Sequence, residues 1–333
     1  MLSHYIVVIG TSAGGLSALK GLLAPLPVDF PAALFIVKHI GTRPHSLPQL
    51  LQRVCKLNVR EATHNQKVEP GKVYVAPPGL HMIISNGRIQ LNAGPRINYC
   101  RPAIDPLFYS AALSNGPRTI AILLSGMLDD GSAGLAAIKQ CNGIAMVQDT
   151  TEAEYPDMPR NGLKNASVDY CLPTIEMADV LQGIVSTSLK GNEASICPES
   201  ERIKIETEMQ LSHNASEEKL NQIGVPSDFT CPICHGALWK INNKQINRYS
   251  CRVGHAFGLD SLVDGYEVST EEALWAALRA LQEKEELFKA IAEKAQRDKS
   301  GYEKNFSERA KLTEKHVKIL RSILENENGF NNK

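Results

Sequence analysis

From Tyr5 to about Val185 the chain alternates short apolar, β-branched runs with stretches whose apolar positions recur at helical spacing. YIVVIG, ALFIVKHI, KVYVAP, MIISNG, TIAILLSG and IAMVQD read as strands, and GLSALKGLLAPL, SLPQLLQRV, IDPLFYSAALS and SAGLAAIKQC as helices. When strands and helices take turns, each helix carries the chain back so that the next strand runs the same way. The pattern therefore predicts an α/β fold, a doubly wound, mostly parallel sheet with helices on both faces. Asn86-Gly87 between the two apolar runs of MIISNGRIQL predicts a β-hairpin within that plan.

From Lys190 to about Ser227 the periodicity lapses into polar, Glu-rich and Ser-rich sequence punctuated by Pro198 and Pro226, which predicts a linker with one short helix near Ile203 to Leu211. Phe229 to about Ala256 holds a cluster of cysteine and histidine. Beyond it, Ser269 and Glu272 fit a capping box ahead of Leu274, Leu278, Leu281, Phe288 and Ala292, so a long amphipathic helix is expected there. A second, roughly Ser307 to Leu324, carries Leu312, Ile319, Leu320, Ile323 and Leu324. The pair predicts a hairpin or a short coiled coil, with Glu285 interrupting the apolar stripe. That stripe packs either on its own protein or on a partner or second copy. The expected organisation is an α/β domain over 1–188, a linker over 189–227, a small metal-binding module over 228–267 and a helical tail over 268–326.

Charge narrows the partners. Lys plus Arg and Asp plus Glu number 36 each, so no bulk charge draws the chain to nucleic acid or an anionic membrane. Lys240, Lys244, Arg248 and Arg252 are too few to exceed a solvated basic face, and no nucleic-acid partner is expected. Apolar runs fall short of the roughly 20 residues of a membrane span, and Tyr5 to Ile9 follows no basic segment. A cytoplasmic protein without membrane insertion is expected. Of the eight cysteines, Cys55, Cys100, Cys141, Cys171 and Cys197 are scattered and expected as reduced thiols, whereas Cys231, Cys234 and Cys251 cluster and suggest metal.

Gly10-Thr11-Ser12-Ala13-Gly14-Gly15 lies between a strand and a helix, where dinucleotide loops and nucleophile elbows both occur. A dinucleotide loop needs glycine at position 12 and an acid closing the second strand; the chain has Ser12 there and Lys38-His39 at the strand end. Gly-x-Ser-x-Gly instead projects a serine hydroxyl at the sheet's carboxyl edge, with the first N–H groups of the next helix, Ala13 among them, aimed at a developing oxyanion. His39 closes the second strand at the same edge and is the candidate general base. After TIAILLSG, either Asp129 or Asp130 is placed to orient that histidine, although Asp-Asp-Gly-Ser is also a good turn and helix cap.

Cys231-x-x-Cys234, sixteen intervening residues and Cys251-x-x-x-His255 have the spacing of a tetrahedral zinc site with three thiolates and one imidazole. Trp239, Tyr249 and Phe257 supply apolar mass to a module too small to fold without a staple. His235 reads as a neighbour of the cluster. With no acid or base placed for hydrolysis at the metal, the site is expected to be structural.

Ile-Gly-Thr-Ser-Ala-Gly-Gly, Lys-His-Ile, Pro-Gly-Lys-Val-Tyr-Val-Ala-Pro, Arg-Pro-Ala-Ile-Asp-Pro-Leu-Phe, Leu-Ser-Gly-Met-Leu-Asp-Asp-Gly-Ser-Ala-Gly and Met-Pro-Arg stand here in order. Over roughly residues 3 to 188 the chain thereby resembles the catalytic domain of the CheB-type chemotaxis methylesterases. The resemblance implies a triad of Ser12, His39 and Asp130, since the family's acid directly precedes glycine, and an oxyanion hole using the backbone N–H of Met127. It implies a protein-glutamate methylesterase acting by an acyl-enzyme on methylated chemoreceptor-like proteins, with glutamine deamidation open to the same chemistry and no catalytic cofactor. Leu128 departs from the family's glycine, and Lys-His-Ile from its commoner Gln-His-Met. The classical receiver domain is expected to be missing, so control through phosphorylation in cis is not expected. Phe229 to Leu281 resembles the carboxyl-terminal extension of receiver-less CheB-like proteins. The competing expectation is an adaptor that keeps the esterase fold and recruits partners through its zinc-helical tail.

Overall fold

A computed structural model of the chain describes residues 2–40, 46–187, 197, 200–212, 215–242, 246–299 and 301–330, with side chains to 325. In chain order the first part reads β1 (Ile6–Thr11), α1 (Gly15–Leu23), β2 (Ala33–Lys38), α2 (Leu47–Gln52), β3 (Asn58–Glu61), β4 (Gln66–Lys67), β5 (Lys72–Val75), β6 (His81–Ser85), β7 (Arg88–Asn92), α3 (Ile104–Asn115), β8 (Thr119–Leu123), α4 (Ser132–Gln140), β9 (Ile144–Gln148), α5 (Asp157–Asn165), β10 (Tyr170–Leu172) and α6 (Thr174–Ser186). There follow α7 (Ser200–Ser212), α8 (Glu217–Ile223), β11 (Gly224–Thr230), β12 (Ala237–Ile241), β13 (Arg248–Cys251), β14 (Ala256–Gly258), α9 (Leu259–Arg297) and α10 (Glu303–Phe330).

The apolar runs build a parallel seven-stranded sheet of order β10-β9-β8-β1-β2-β5-β3. Because side chains alternate across a strand, β1 feeds two cores: Ile6 and Val8 pack on one face with Leu107, Phe108 and Leu135 of α3 and α4, and Val7 and Ile9 on the other with Leu19, Leu22 and Leu181 of α1 and α6. Both faces are covered, as the continuous hydrophobic runs predict. The Asn-Gly hairpin is present as β6 and β7, with Asn86 and Gly87 at φ 50° and 70°, the left-handed pair that matches strand twist.

Several expectations are corrected. The segment read as a linker, of which 189–196, 198, 199, 213 and 214 lie outside the described residues, forms α7 and α8. Ile203 packs into the core beside α3, while Met209, Leu220 and Ile223 form a cluster with Trp239 and Ile241. The short helix expected near Ile203 to Leu211 is present within α7; its packing escaped the sequence reading because α7 buries polar residues on its core side: Arg202, Glu206 and Gln210 are all buried, Arg202 with Glu206 as an ion pair. Cys141 and Cys197, expected as separate thiols, are joined as a disulfide between the end of α4 and the segment before α7. Lys244 of the expected basic face lies outside the described residues, and Arg248 is buried rather than solvated.

Met1–Leu262 forms one compact unit, so the cysteine module belongs with the α/β domain, and Val263–Lys333 forms a second. The first tail helix starts at Leu259, well ahead of Ser269, whose hydroxyl bonds back to Tyr266 O (3.3 Å) inside the helix. The cap at its true start is supplied from elsewhere in the fold, by Asp129. In the second unit Leu278 packs with Val317 and Leu324, and Phe288 lies against Phe306 with Arg309 over its face. Glu285 is buried and paired with Lys289 (2.7 Å). Among the described residues no helix is long and apolar enough to cross a membrane.

Candidate active site

The three neighbouring strands β2, β1 and β8 run parallel and end at one edge of the sheet, where the order turns outward in both directions from β1. Such a divergence opens a crevice at the strand ends. Each of the three strands is followed there by one expected residue: His39 directly after β2, Ser12 directly after β1, and Asp130 in the loop after β8.

Ser12 stands on a tight turn. Its N–H donates to Ser125 O (2.9 Å), tying the turn to the end of β8. Gly14 completes the turn at φ 72°, and a Cβ there would meet Ser125 Oγ at 2.6 Å and Glu154 Cβ at 2.8 Å, so only glycine fits. Ala13 lies between them, its carbonyl accepting from Ser125 Oγ (2.8 Å). Met127 follows Gly126, which packs against Ser12 Cβ, and is 52% exposed.

His39 is held by its backbone, whose N–H donates to Thr11 O (3.1 Å), the residue before Ser12. Its ring Nε2 lies 2.8 Å from Asp130 Oδ2. Among the described residues no hydrogen bond joins Ser12 Oγ to the ring. Catalytic hydrogen bonds are often long in the absence of substrate. Burial opposes charge on the ring, but the Asp130 hydrogen bond and the neighbouring Cys100 thiol hold its pKa above the ordinary histidine value.

Asp130 is buried, yet its pKa is lowered: burial opposes the charge, and His39, the Ile104 N–H and Asn98 outweigh it. Oδ2 accepts from Ile104 N (2.7 Å), and Oδ1 from Asn98 Nδ2 (3.0 Å) and Asp105 N (3.4 Å). The acid thus sits on the N-terminus of α3, where unpaired N–H groups and the helix dipole favour a carboxylate. Asp129 turns the other way and accepts from Ser261 Oγ and Asp260 N (3.3 Å), capping α9. The residues left the choice between the two aspartates open; only Asp130 reaches His39. Leu128 takes φ 61°, a left-handed conformation that a glycine adopts without strain.

Sequence reasoning missed Asn98 and Cys100. Both precede the Arg-Pro-Ala-Ile-Asp block, but a polar residue and a lone thiol in a loop carry no distinguishing local signal.

The four expected ligands also meet. The ligand atoms of Cys231, Cys234, Cys251 and His255 lie within 4.8 Å of one another, with Cys234 Sγ to Cys251 Sγ 3.6 Å, Cys251 Sγ to His255 Nδ1 3.5 Å and Cys231 Sγ to His255 Nδ1 3.7 Å. Bonds of about 2.3 Å to sulfur and about 2.0 Å to nitrogen set tetrahedral ligand spacings of roughly 3.5–3.8 Å, so the residues fit a metal ion. His235 stands outside this set and turns the knuckle at φ 58°, donating its N–H to Cys231 O (2.8 Å).

Residues 7–181 match the family model of the CheB methylesterases. The chain belongs to the CheB methylesterase family. It is 33% identical to the Thermotoga maritima CheB methylesterase catalytic domain, whose crystal structure superposes with a TM-score of 0.54 over 55% of this chain and 100% of that one. A Leptospira interrogans protein, named as a candidate protein-glutamate methylesterase/protein-glutamine glutaminase, is 37% identical over 54% of this chain and 94% of its own length. Protein-glutamate methylesterase/protein-glutamine glutaminase 2 of Bordetella avium is 39% identical over 53% of this chain but only 52% of its own. The chain thus spans about half of the Bordetella relative. The CheB match ends before α7, so the cysteine module and the helical tail lie beyond it.

Proposed function

We propose that this chain is a protein-glutamate methylesterase with Ser12 as nucleophile, His39 as general base and Asp130 as the group that orients and charges the imidazole. The observation that carries the reading is the convergence of three adjacent strand ends, with His39 Nε2 2.8 Å from a carboxylate fixed on a helix N-terminus. Ser12 Oγ attacks the γ-carbonyl of a glutamyl methyl ester while His39 Nδ1 takes its proton. The backbone N–H groups of Met127 and Ala13 receive the oxyanion. Methanol departs with the proton returned by His39, and a water activated by the same ring hydrolyses the acyl-enzyme to glutamate.

The substrate proposed is a methylated, chemoreceptor-like protein in the cytoplasm. Glutamine deamidation follows the same steps with ammonia as leaving group; the double names of the relatives support it. Zinc is the metal proposed for Cys231, Cys234, Cys251 and His255, in a closed structural shell; it supplies the cross-link, and the chemistry stays with the triad. The helical tail, which exposes Trp275, Ile319 and Ile323, is proposed to meet a partner or second copy, and equal solution mass per chain for full-length protein and residues 1–262 would exclude self-association.

The test is methanol release from methylated receptors of the same cell. Wild type releases methanol and Ser12→Ala does not; release by Ser12→Ala at the wild-type rate would overturn the assignment.

A further inference from the structure

The cysteine module is built into the back of the acid turn. Ile97 bridges to Ala256, and Asn98 N donates to Ala256 O (2.8 Å), so the segment before the cis Arg101-Pro102 bond joins the edge of the module's sheet. The Asn98 side chain then spans the two parts. Its Oδ1 accepts from Gly258 N (2.8 Å), and its Nδ2 donates to Asp130 Oδ1 (3.0 Å). Asn98 is 4% exposed and sits at φ 48°, a left-handed conformation that asparagine tolerates. Next to it, a Cβ on Gly258 would fall onto the Asp129 carboxylate, so the module's strand approaches the acid turn as closely as backbone allows. Asn161 adds a second stitch, donating to Leu128 O (2.9 Å) and Asp260 Oδ2 (3.0 Å).

Ala256, which anchors Asn98, directly follows the ligand His255, whose carbonyl accepts from Cys251 N (3.0 Å). A metal ion that joins Cys251 and His255 to the Cys231-Cys234 knuckle therefore fixes the start of β14. Small knuckles lose their geometry without the ion. We propose that metal occupancy of the four-ligand site sets the activity of the esterase, through Asn98 acting as a positioning residue for Asp130. The inference rests on the assignment of Asp130 to the triad. It makes the module a metal-dependent brace for the catalytic turn: with the ion bound, Gly258 holds the amide of Asn98 so that it donates to Asp130; without it, Asp130 loses that donor and the turn slackens.

The experiment uses the full chain, zinc-loaded or stripped with a chelator, and three readouts: deuterium exchange of residues 97–105 and 256–261, the rate at which a fluorophosphonate labels Ser12, and methanol release from a helical peptide carrying one glutamate γ-methyl ester. Stripping is expected to speed exchange in both segments, to slow labelling by about tenfold or more, and to be reversed by zinc. Asn98→Gly, which keeps the left-handed backbone and removes the amide, is expected to label when loaded as slowly as stripped wild type, to melt within a few degrees of loaded wild type, and to respond to stripping by less than about twofold. Asn98→Asp puts a second carboxylate beside Asp130 and shifts the pH dependence of labelling to higher pH, which a loss of folded protein would not do.

Failure of the purified chain to hold one zinc per chain would overturn the inference. So would wild-type labelling by loaded Asn98→Gly, or an equal response of Asn98→Gly and wild type to stripping. Metal-dependent labelling without methanol release from any methylated protein would refute the methylesterase reading and leave the brace standing.

Discussion

Asp130 and Asp105 cap each other's helices: Asp130 accepts the N–H groups of Ile104 (2.7 Å) and Asp105 (3.4 Å) that open α3, while Asp105 Oδ1 accepts Gly134 N (2.7 Å) in the first turn of α4, the helix that Asp130 precedes. Each helix start carries partial positive charge, so the exchange holds two buried carboxylates with backbone groups. The acid proposed for the triad is thereby fixed against the sheet edge without relying on a mobile partner.

Replacing these two acids separates orientation from capping. Asp130→Asn is expected to lower kcat by about 10⁴-fold, as loss of a triad acid does. It should also cost about 1–3 kcal/mol of stability, because an amide has fewer acceptor sites for the surrounding donors. Asp105→Asn should lose stability of the same order while kcat stays within about tenfold, since Asp105 does not touch His39. Steady-state methanol release and urea denaturation measure the two effects.

The pH profile follows from His39. Its pKa is raised, against burial, by Asp130 and Cys100. A base works only when unprotonated, so the acid limb of kcat/KM should lie above the ordinary histidine value of about 6.5. In Asp130→Asn the main raising partner is gone and burial remains, so the limb should move down. A wild-type limb below that of the variant would contradict the geometry.

Leu128→Gly should stabilise the fold. Leu128 occupies φ 61°, where a side chain costs roughly 1–2 kcal/mol and glycine does not. A gain of about 1 kcal/mol in chemical denaturation, less the entropy that glycine adds to the unfolded chain, is expected. Unchanged or lower stability would show that the leucine side chain compensates the strain.

Arg248→Met tests the buried charges beneath the active site. Arg248 is 3% exposed, 3.2 Å from Glu206 and 3.8 Å from Asp105, and hydrogen-bonded to Tyr109. Burial already raises the Asp105 pKa against the opposing charge of Arg248. Removing the cation leaves carboxylates buried without it, at an expected cost of about 3–5 kcal/mol. The loss should shrink as pH falls and the carboxylates take up protons, which thermal melts at two pH values would show.

Ser12 and His39 were legible because each closes a strand whose apolar run is unmistakable, and strand ends are where a parallel sheet gathers its site. Asp129 and Asp130 were not separable by the same reasoning. Both sit in one turn, both are good cap residues, and the difference between them is which way each side chain faces. Cys231, Cys234, Cys251 and His255 were legible from spacing alone, since knuckles are local. The short helix expected near Ile203 to Leu211 is part of α7, but its packing against the core was hidden because its buried face includes Arg202 and Glu206, whose partners Gln140 and Arg248 lie elsewhere in the chain, and α8 was not expected.

By itself the sequence determined the doubly wound sheet, the serine turn after β1 and the ligand spacing of the metal cluster, because each is written in residues close enough to act on one another before the chain folds. The motif resemblance singled out Asp130, but only the tertiary structure shows why Asp129 cannot reach His39 and where the cysteine module rests. Asn98 meets Gly258 across 160 positions and Asp129 meets Ser261 across 132. Contacts of that range depend on how the surfaces of packed elements meet, which no local periodicity encodes.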